Sequence, residues 1–138
     1  HHIKDKDVYI GTAAVSDYSP TKSHDSKIKK DGSKSSMVLE LKENRDILNS
    51  VSELKDRPYV VGFAAETDNL IDNAKKKLTN KRLDLIVAND VSDKNIGFDS
   101  DDNEVTLITQ KEQKLLERQN KKKISNKIIE FISGRIND

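Results

Sequence analysis

Lys77 and Lys81 stand four residues apart, so on a helix they share a face and fall in line with Leu70 and Ala74. Like charges at that spacing repel mildly unless an anion sits between them, which makes the pair a candidate phosphate contact. A solvated, lysine-rich helix end complementing the helix dipole satisfies the same spacing. A second cationic run, Lys27-Ile28-Lys29-Lys30, reads either as an edge strand whose charges discourage aggregation or as an arm reaching a triphosphate. Three apolar runs end alike, in Ala13-Ala14-Val15-Ser16-Asp17, Gly62-Phe63-Ala64-Ala65-Glu66-Thr67 and Ala88-Asn89-Asp90-Val91-Ser92. Each places small residues and then a polar side chain where an open α/β sheet gathers its ligands. Small residues let a ligand approach the backbone, although tight strand–helix packing with acids as turn formers gives the same pattern. No Ser-His-Asp or metal-ligand spacing is present, and neither a Gly-x-x-x-x-Gly-Lys loop nor a Gly-x-Gly-x-x-Gly fingerprint occurs. His24, in a polar stretch, has no role in this reading.

These residues need a scaffold, and the hydropathy pattern supplies one. Val8 to Val15 is a continuous apolar, β-branched run, as in a strand buried on both faces of a parallel sheet. Asp17 to Ser26 is polar and reads as loop. Lys27 to Lys30, Asp31-Gly32 and Met37 to Leu41 read as a hairpin over about 27–41, with Asp-Gly supplying the turn. Met37, Leu39 and Leu41 share one face of it. Apolar positions 47, 48, 51 and 54 predict a helix from Asp46 to Leu54. Tyr59 to Ala65 is a second buried strand, and Leu70, Ile71, Ala74 and Leu78 stripe a helix capped by Thr67 or Asp68. Asp84 to Asn89 is a third buried strand. After the turn-rich Ser100-Asp101-Asp102-Asn103 comes a shorter, more polar strand, Glu104 to Thr109. Ile124, Ile128, Phe131 and Ile132 mark a last helix, with Gly134 its terminator.

The order strand, hairpin, helix, strand, helix, strand, hairpin, helix predicts an α/β fold, a three-layer Rossmann-like parallel sheet. The hairpin cannot join a buried parallel sheet. It is expected to project as a dimerisation flap, its apolar face covered by a second copy of the chain.

With 138 residues there is room for one ordinary domain. Residues 1–7, beginning His1-His2, read as a remnant or tag, and 8–138 as the folded portion. Absence of cysteine excludes disulfides, thiol catalysis and zinc–thiolate sites. Lys plus Arg (25) nearly cancels Asp plus Glu (24), so no bulk attraction to nucleic acid or anionic membrane is expected, and any anion site is local. No apolar run is long enough to span a bilayer, and a cytoplasmic location is expected.

Several segments together resemble one family. Ala13-Ala14-Val15-Ser16-Asp17-Tyr18, Lys27-Ile28-Lys29-Lys30, Gly62 to Thr67 and Asp84 to Ser92 stand in the order and spacing of phosphopantothenate–cysteine ligases. Asn44-Arg45-Asp46-Ile47 is similar to that family's Asn-Pro-Asp-Ile, with arginine in the proline position. Gly97-Phe98, Ser100-Asp101 and Asn103-Glu104-Val105 resemble its next motif. The resemblance covers the chain from residue 8 onward.

It implies an enzyme of coenzyme A synthesis. Bacterial members use CTP and magnesium and are commonly fused behind an FMN-dependent decarboxylase domain, so FMN would belong to that domain and not to this chain. They join 4′-phosphopantothenate to CMP with release of pyrophosphate, and L-cysteine then displaces CMP. The resemblance assigns nucleotide contacts to Gly11, Thr12, Ala13, Asp17, Lys27, Asp46, Ile47, Leu48, Phe63, Lys77 and Lys81. It assigns substrate contacts to Ala13 and Ala14, the catalytic role in the first half-reaction to Lys27, and no protein metal ligand. It also implies upstream strands, a glycine-rich turn and an asparagine that handles the acyl intermediate. None is in this sequence, so the N-terminal part of the fold is expected to be missing. The alternative is a noncatalytic nucleotide-binding or dimerisation fragment of the same fold.

Overall fold

The computed structural model describes residues 3–23, 26–28, 36–91 and 100–136. In chain order the elements are β1 (Val8–Gly11), β2 (Tyr18–Pro20), β3 (Leu41–Glu43), α1 (Ile47–Ser52) and β4 (Tyr59–Glu66). There follow α2 (Leu70–Asn80), β5 (Leu85–Asp90), β6 (Asp102–Ile108), β7 (Gln113–Asn120) and α3 (Lys121–Ile136). They divide into two compact units, one formed by His1–Thr12 with Ile47–Asp138, the other by Ala13–Asp46.

The larger unit is built on a five-stranded sheet in the order β1-β4-β5-β6-β7. β1, β4 and β5 are parallel, whereas β6 and β7 run antiparallel. The α/β class holds, and the expected all-parallel sheet is corrected to a mixed one. The reason lies in the connections: a parallel neighbour needs a long crossover, which α2 provides between β4 and β5. Between β6 and β7 lies only a tight turn, where Thr109 Oγ1 accepts from the Lys111 and Glu112 amides at 3.2 and 3.1 Å.

Period-two alternation sends the strand side chains to two cores. Val61, Leu85, Val87, Val105 and Leu107 face Ile124, Ile128, Phe131 and Ile132 of α3. Val60, Ala64, Ile86, Ala88 and Ile108 face Val51 of α1 and Ala74 and Leu78 of α2. This gives the three layers, α1 and α2 on one face and α3 on the other. At the N-terminal end of β4, Arg57 forks onto Asp84 at 2.6 and 2.8 Å, and Asp84 Oδ2 also accepts from the Val60 amide at 2.7 Å. Asp84 raises the Arg57 pKa above its ordinary value through that hydrogen bond. Among the described residues no helix is long and apolar enough to cross a membrane.

Helix ends depart from expectation. α2 is preceded by Asn69 in the left-handed region (φ 49°) with no side-chain cap, so neither Thr67 nor Asp68 caps it. Its other end is a Schellman motif, with Leu83 N–H donating to Leu78 O at 2.9 Å and Arg82 N–H to Thr79 O at 3.2 Å. Arg82 sits at the left-handed position (φ 51°) that glycine usually fills. Gly134 lies inside α3 and does not end it; a Cβ there would meet nothing within 4 Å.

The smaller unit holds a two-stranded antiparallel ribbon, with Tyr18 opposite Glu43 and Pro20 opposite Leu41. The expected hairpin arms are therefore corrected: Lys27, Ile28 and 36–40 are not strand, and Tyr18–Pro20, read as loop, is. Pairing settles on 18–20 with 41–43 because Asn44, whose amide donates to Asp17 O at 2.7 Å, locks that register. The Asp31-Gly32 turn, Lys29, Lys30, His24, Ser92, Gly97-Phe98 and His1-His2 lie outside the described residues.

Candidate functional site

Because β1, β4 and β5 are parallel, their C-terminal ends form one rim of the sheet, where partial positive charge from backbone amides gathers. Gly11 ends β1 and stands in register with Gly62 of β4. A Cβ on Gly11 would lie 2.9 Å from Leu48 Cδ2, and one on Gly62 would lie 2.8 Å from Leu83 Cδ1 and 3.5 Å from Leu48 Cδ1. The glycine pair is thus a seat for the Leu48 side chain, which brings the first turn of α1 down onto the sheet. β1 stops there: Thr12 is exposed, and Ala13, Ala14 and Val15, expected to continue the strand, are exposed too. A tight turn with Val15 N–H on Ala13 O at 3.1 Å replaces the ladder.

Lys77 lies in the last turn of α2. Its Nζ donates to the Phe63 carbonyl at 2.9 Å, and the side chain is half-buried. Phe63 is half-buried as well, packed against the α3-side core. Lys81 is the C-cap residue of α2, half-buried, its amide bonded to Lys77 O at 3.0 Å. The lysines are neighbours through one helical turn, as their spacing predicts, whereas Lys75 is exposed.

The larger unit therefore brings together Gly11 with Leu48 and Phe63 with Lys77, while Ile47 is exposed at the start of α1. Ala13, Ala14, Asp17, Lys27 and Asp46 belong to the smaller unit and are all exposed.

One residue of the third rim segment was given no role of its own by the sequence. Asn89, near the end of β5, carries a buried Oδ1 with no hydrogen-bond partner among the described residues, and Asn103 on β6 carries another. An unpaired buried amide oxygen is costly. The signal in the sequence is an amide side chain closing an otherwise apolar strand, Leu85-Ile86-Val87-Ala88-Asn89.

Residues 1–135 match the family described as DNA/pantothenate metabolism flavoprotein C-terminal domain. The coenzyme A biosynthesis bifunctional protein CoaBC of Vibrio vulnificus is 41% identical over 129 residues, 93% of this chain and 32% of the relative. The Escherichia coli protein of that name is 39% identical over 138 residues, 99% of this chain and 34% of its own length. The Bacillus subtilis one is 50% identical over 103 residues, 74% and 25% of the two chains. The chain thus spans about a third of the first two relatives. Among solved structures, the C-terminal domain of CoaBC superposes with a TM-score of 0.77 at 35% identity, covering 99% of this chain and 58% of that one. The DNA/pantothenate metabolism flavoprotein from Streptococcus pneumoniae gives 0.71 at 25% identity, covering 99% and 64%. With its three layers, its parallel rim and a match along nearly its whole length, the chain belongs to the DNA/pantothenate metabolism flavoprotein C-terminal domain family.

Proposed function

We propose that this chain acts in coenzyme A biosynthesis in the cytoplasm, as part of a ligase that joins 4′-phosphopantothenate to L-cysteine at the expense of CTP. The names of its relatives support the pathway. The observation that carries the nucleotide site is Lys77, a half-buried cation fixed on the Phe63 carbonyl of a parallel strand. A partly buried cation gives a polyanion a stronger partner than a fully exposed lysine would.

In the proposed reaction, a carboxylate oxygen of 4′-phosphopantothenate attacks the α-phosphorus of CTP. The bond to the β-phosphate breaks and its electron pair leaves on pyrophosphate. The cysteine amine then attacks the acyl carbon, the carbon–oxygen bond to CMP breaks with its electrons on CMP, and the amine releases a proton to solvent. Both leaving groups are already good, so the protein's task is binding and charge stabilisation more than proton transfer. Lys27 is proposed to offset charge at the α-phosphate, and Lys77 and Lys81 to hold the triphosphate. Gly11, Thr12, Asp46, Ile47 and Leu48 are proposed to line the nucleotide with Phe63, Ala13 and Asp17. Ala13 and Ala14 would meet the acyl substrate, and Asn89 offers an acceptor for a base edge. Magnesium is proposed to arrive as an ion carried by the triphosphate.

Calorimetric titration with CTP and with ATP, each with magnesium, tests this reading. CTP should bind more tightly; equal affinity, or tighter ATP, overturns the assignment to cytidine. Lys77→Gln and Lys81→Gln should each weaken CTP binding about tenfold, the scale of a charge-assisted hydrogen bond. Lys75→Gln should leave it unchanged, and equal losses at 75 and 77 would remove the lysines from the site.

A second reading, a noncatalytic nucleotide-binding or dimerisation module, draws on the apolar strip of the smaller unit. There Met37 is 62%, Leu39 59% and Leu41 56% exposed, a face suited to a second copy of the chain. Pyrophosphate release on adding CTP and 4′-phosphopantothenate to the longer protein separates the two readings.

A further inference from the structure

Within residues 13–46, Ser19 and Asn44 are the only described residues that are not exposed, and they are bonded to each other. Ser19 Oγ donates to Asn44 Oδ1 at 2.7 Å. With its amide oxygen so engaged, Asn44 turns Nδ2 onto the Ser16 carbonyl at 2.8 Å, and its backbone amide donates to the Asp17 carbonyl at 2.7 Å. A single residue thus grips two consecutive carbonyls of the loop that carries Ala13, Ala14 and Asp17. The loop has little else to fix it: its side chains are exposed, and its internal bond is the tight Val15-to-Ala13 turn.

The grip has a directional consequence. In a trans peptide the carbonyl and the following N–H point opposite ways. Turning the Ser16 carbonyl onto Asn44 therefore sends the Asp17 N–H to the far side of the loop. Asn44 also immediately precedes Arg45 and Asp46, so one side chain ties two stretches with proposed ligand contacts together.

We infer that Asn44 is a positioning residue for ligand binding, fixing the Ala13–Asp17 loop relative to Arg45 and Asp46. It touches no ligand itself. The inference rests on the nucleotide and substrate site proposed above.

The test is titration of the purified chain with magnesium CTP and, separately, with 4′-phosphopantothenate. Asn44→Ala should weaken both by about tenfold, as three bonds reduce to the backbone one. Asn44→Asp keeps the acceptor for Ser19 but loses the donor to Ser16, and should fail equally. Ser19→Ala frees the amide to rotate and should weaken binding by about threefold. Thr21→Val, which loses a side-chain bond to Glu40 O at the other end of the same ribbon, should change neither affinity. The thermal midpoint of the larger unit should match across the set, because both hydrophobic cores lie outside residues 13–46. Unchanged affinity in Asn44→Ala overturns the inference, as does wild-type affinity in Asn44→Asp. Equal losses in Asn44→Ala and Thr21→Val reduce Asn44 to a general structural role and overturn it too. A wild-type chain that binds neither ligand removes the proposed site, and the inference with it.

Discussion

Residues 13–46 and the larger unit treat their apolar side chains in opposite ways. In the larger unit, Val60, Val61, Leu85, Ile86, Val87, Leu107 and Ile108 lose all contact with solvent, and the sheet is sandwiched between two cores. In 13–46, Met37, Val38, Leu39 and Leu41 all stay exposed, Val38 at 90%. Burial holds the first region, since each hidden aliphatic side chain contributes about 1.5–3 kcal/mol. The second is held by directional bonds centred on Asn44, each contributing about 0.5–1.5 kcal/mol net. Core burial and loop positioning are therefore separable in this chain, and mutations in the two regions should report on different properties.

The largest expected effect is in the cores. Ile86→Ala should cost about 2–5 kcal/mol, read as a lower urea midpoint at unchanged slope. A loss below 1 kcal/mol would mean that the hidden strands are not what holds the larger unit. Asp84→Ala should cost about 2 kcal/mol, because it strands the Val60 amide and removes both bonds to Arg57. Since Arg57 and Asp84 are partly exposed, Arg57→Ala should cost less.

Leu39→Asp sharpens the contrast from the other side. It should leave the urea midpoint of the larger unit unchanged while weakening self-association at least tenfold, about 1.4 kcal/mol, in sedimentation equilibrium. A wild-type chain that sediments as a monomer, indifferent to this substitution, would show that the apolar strip is not a dimer face. The smallest effect should be a gain. Arg82→Gly relieves a left-handed residue at the end of α2 and should raise stability by about 0.5–1 kcal/mol.

What the sequence made legible follows the same division. The buried strands Tyr59–Glu66 and Leu85–Asp90 and the stripe of α2 were readable because burial on both faces leaves continuous β-branched runs and a 3.6-residue period. β7 was implied only as the second arm of a hairpin and given no bounds, because an edge strand covered on one side shows only Leu115 and Leu116 among polar neighbours, and Leu115 is 54% exposed. The ribbon of 18–20 with 41–43 escaped for a related reason: its register is set by Asn44 and not by alternation of apolar residues. Of the proposed site, the pairing of Lys77 with Lys81 was visible in spacing. The contact from Lys77 to the Phe63 carbonyl was not, since a backbone acceptor leaves no trace in side-chain identity. Asn89 was read as part of the Ala88–Ser92 rim and given no role of its own, and only its unpaired oxygen distinguishes it.

The seat formed by Gly11 and Gly62 has a genetic corollary. Leu48 fills the space that a methyl group on Gly11 would occupy, and it directly follows Asp46 and Ile47 in the chain. A bulkier residue at position 11 would lift the start of α1, so a lesion in a strand would surface as a displaced helix. Trimming Leu48 to alanine would vacate that space and act as a second-site suppressor, making positions 11 and 48 an allelic pair in which each change is tolerated best in the company of the other.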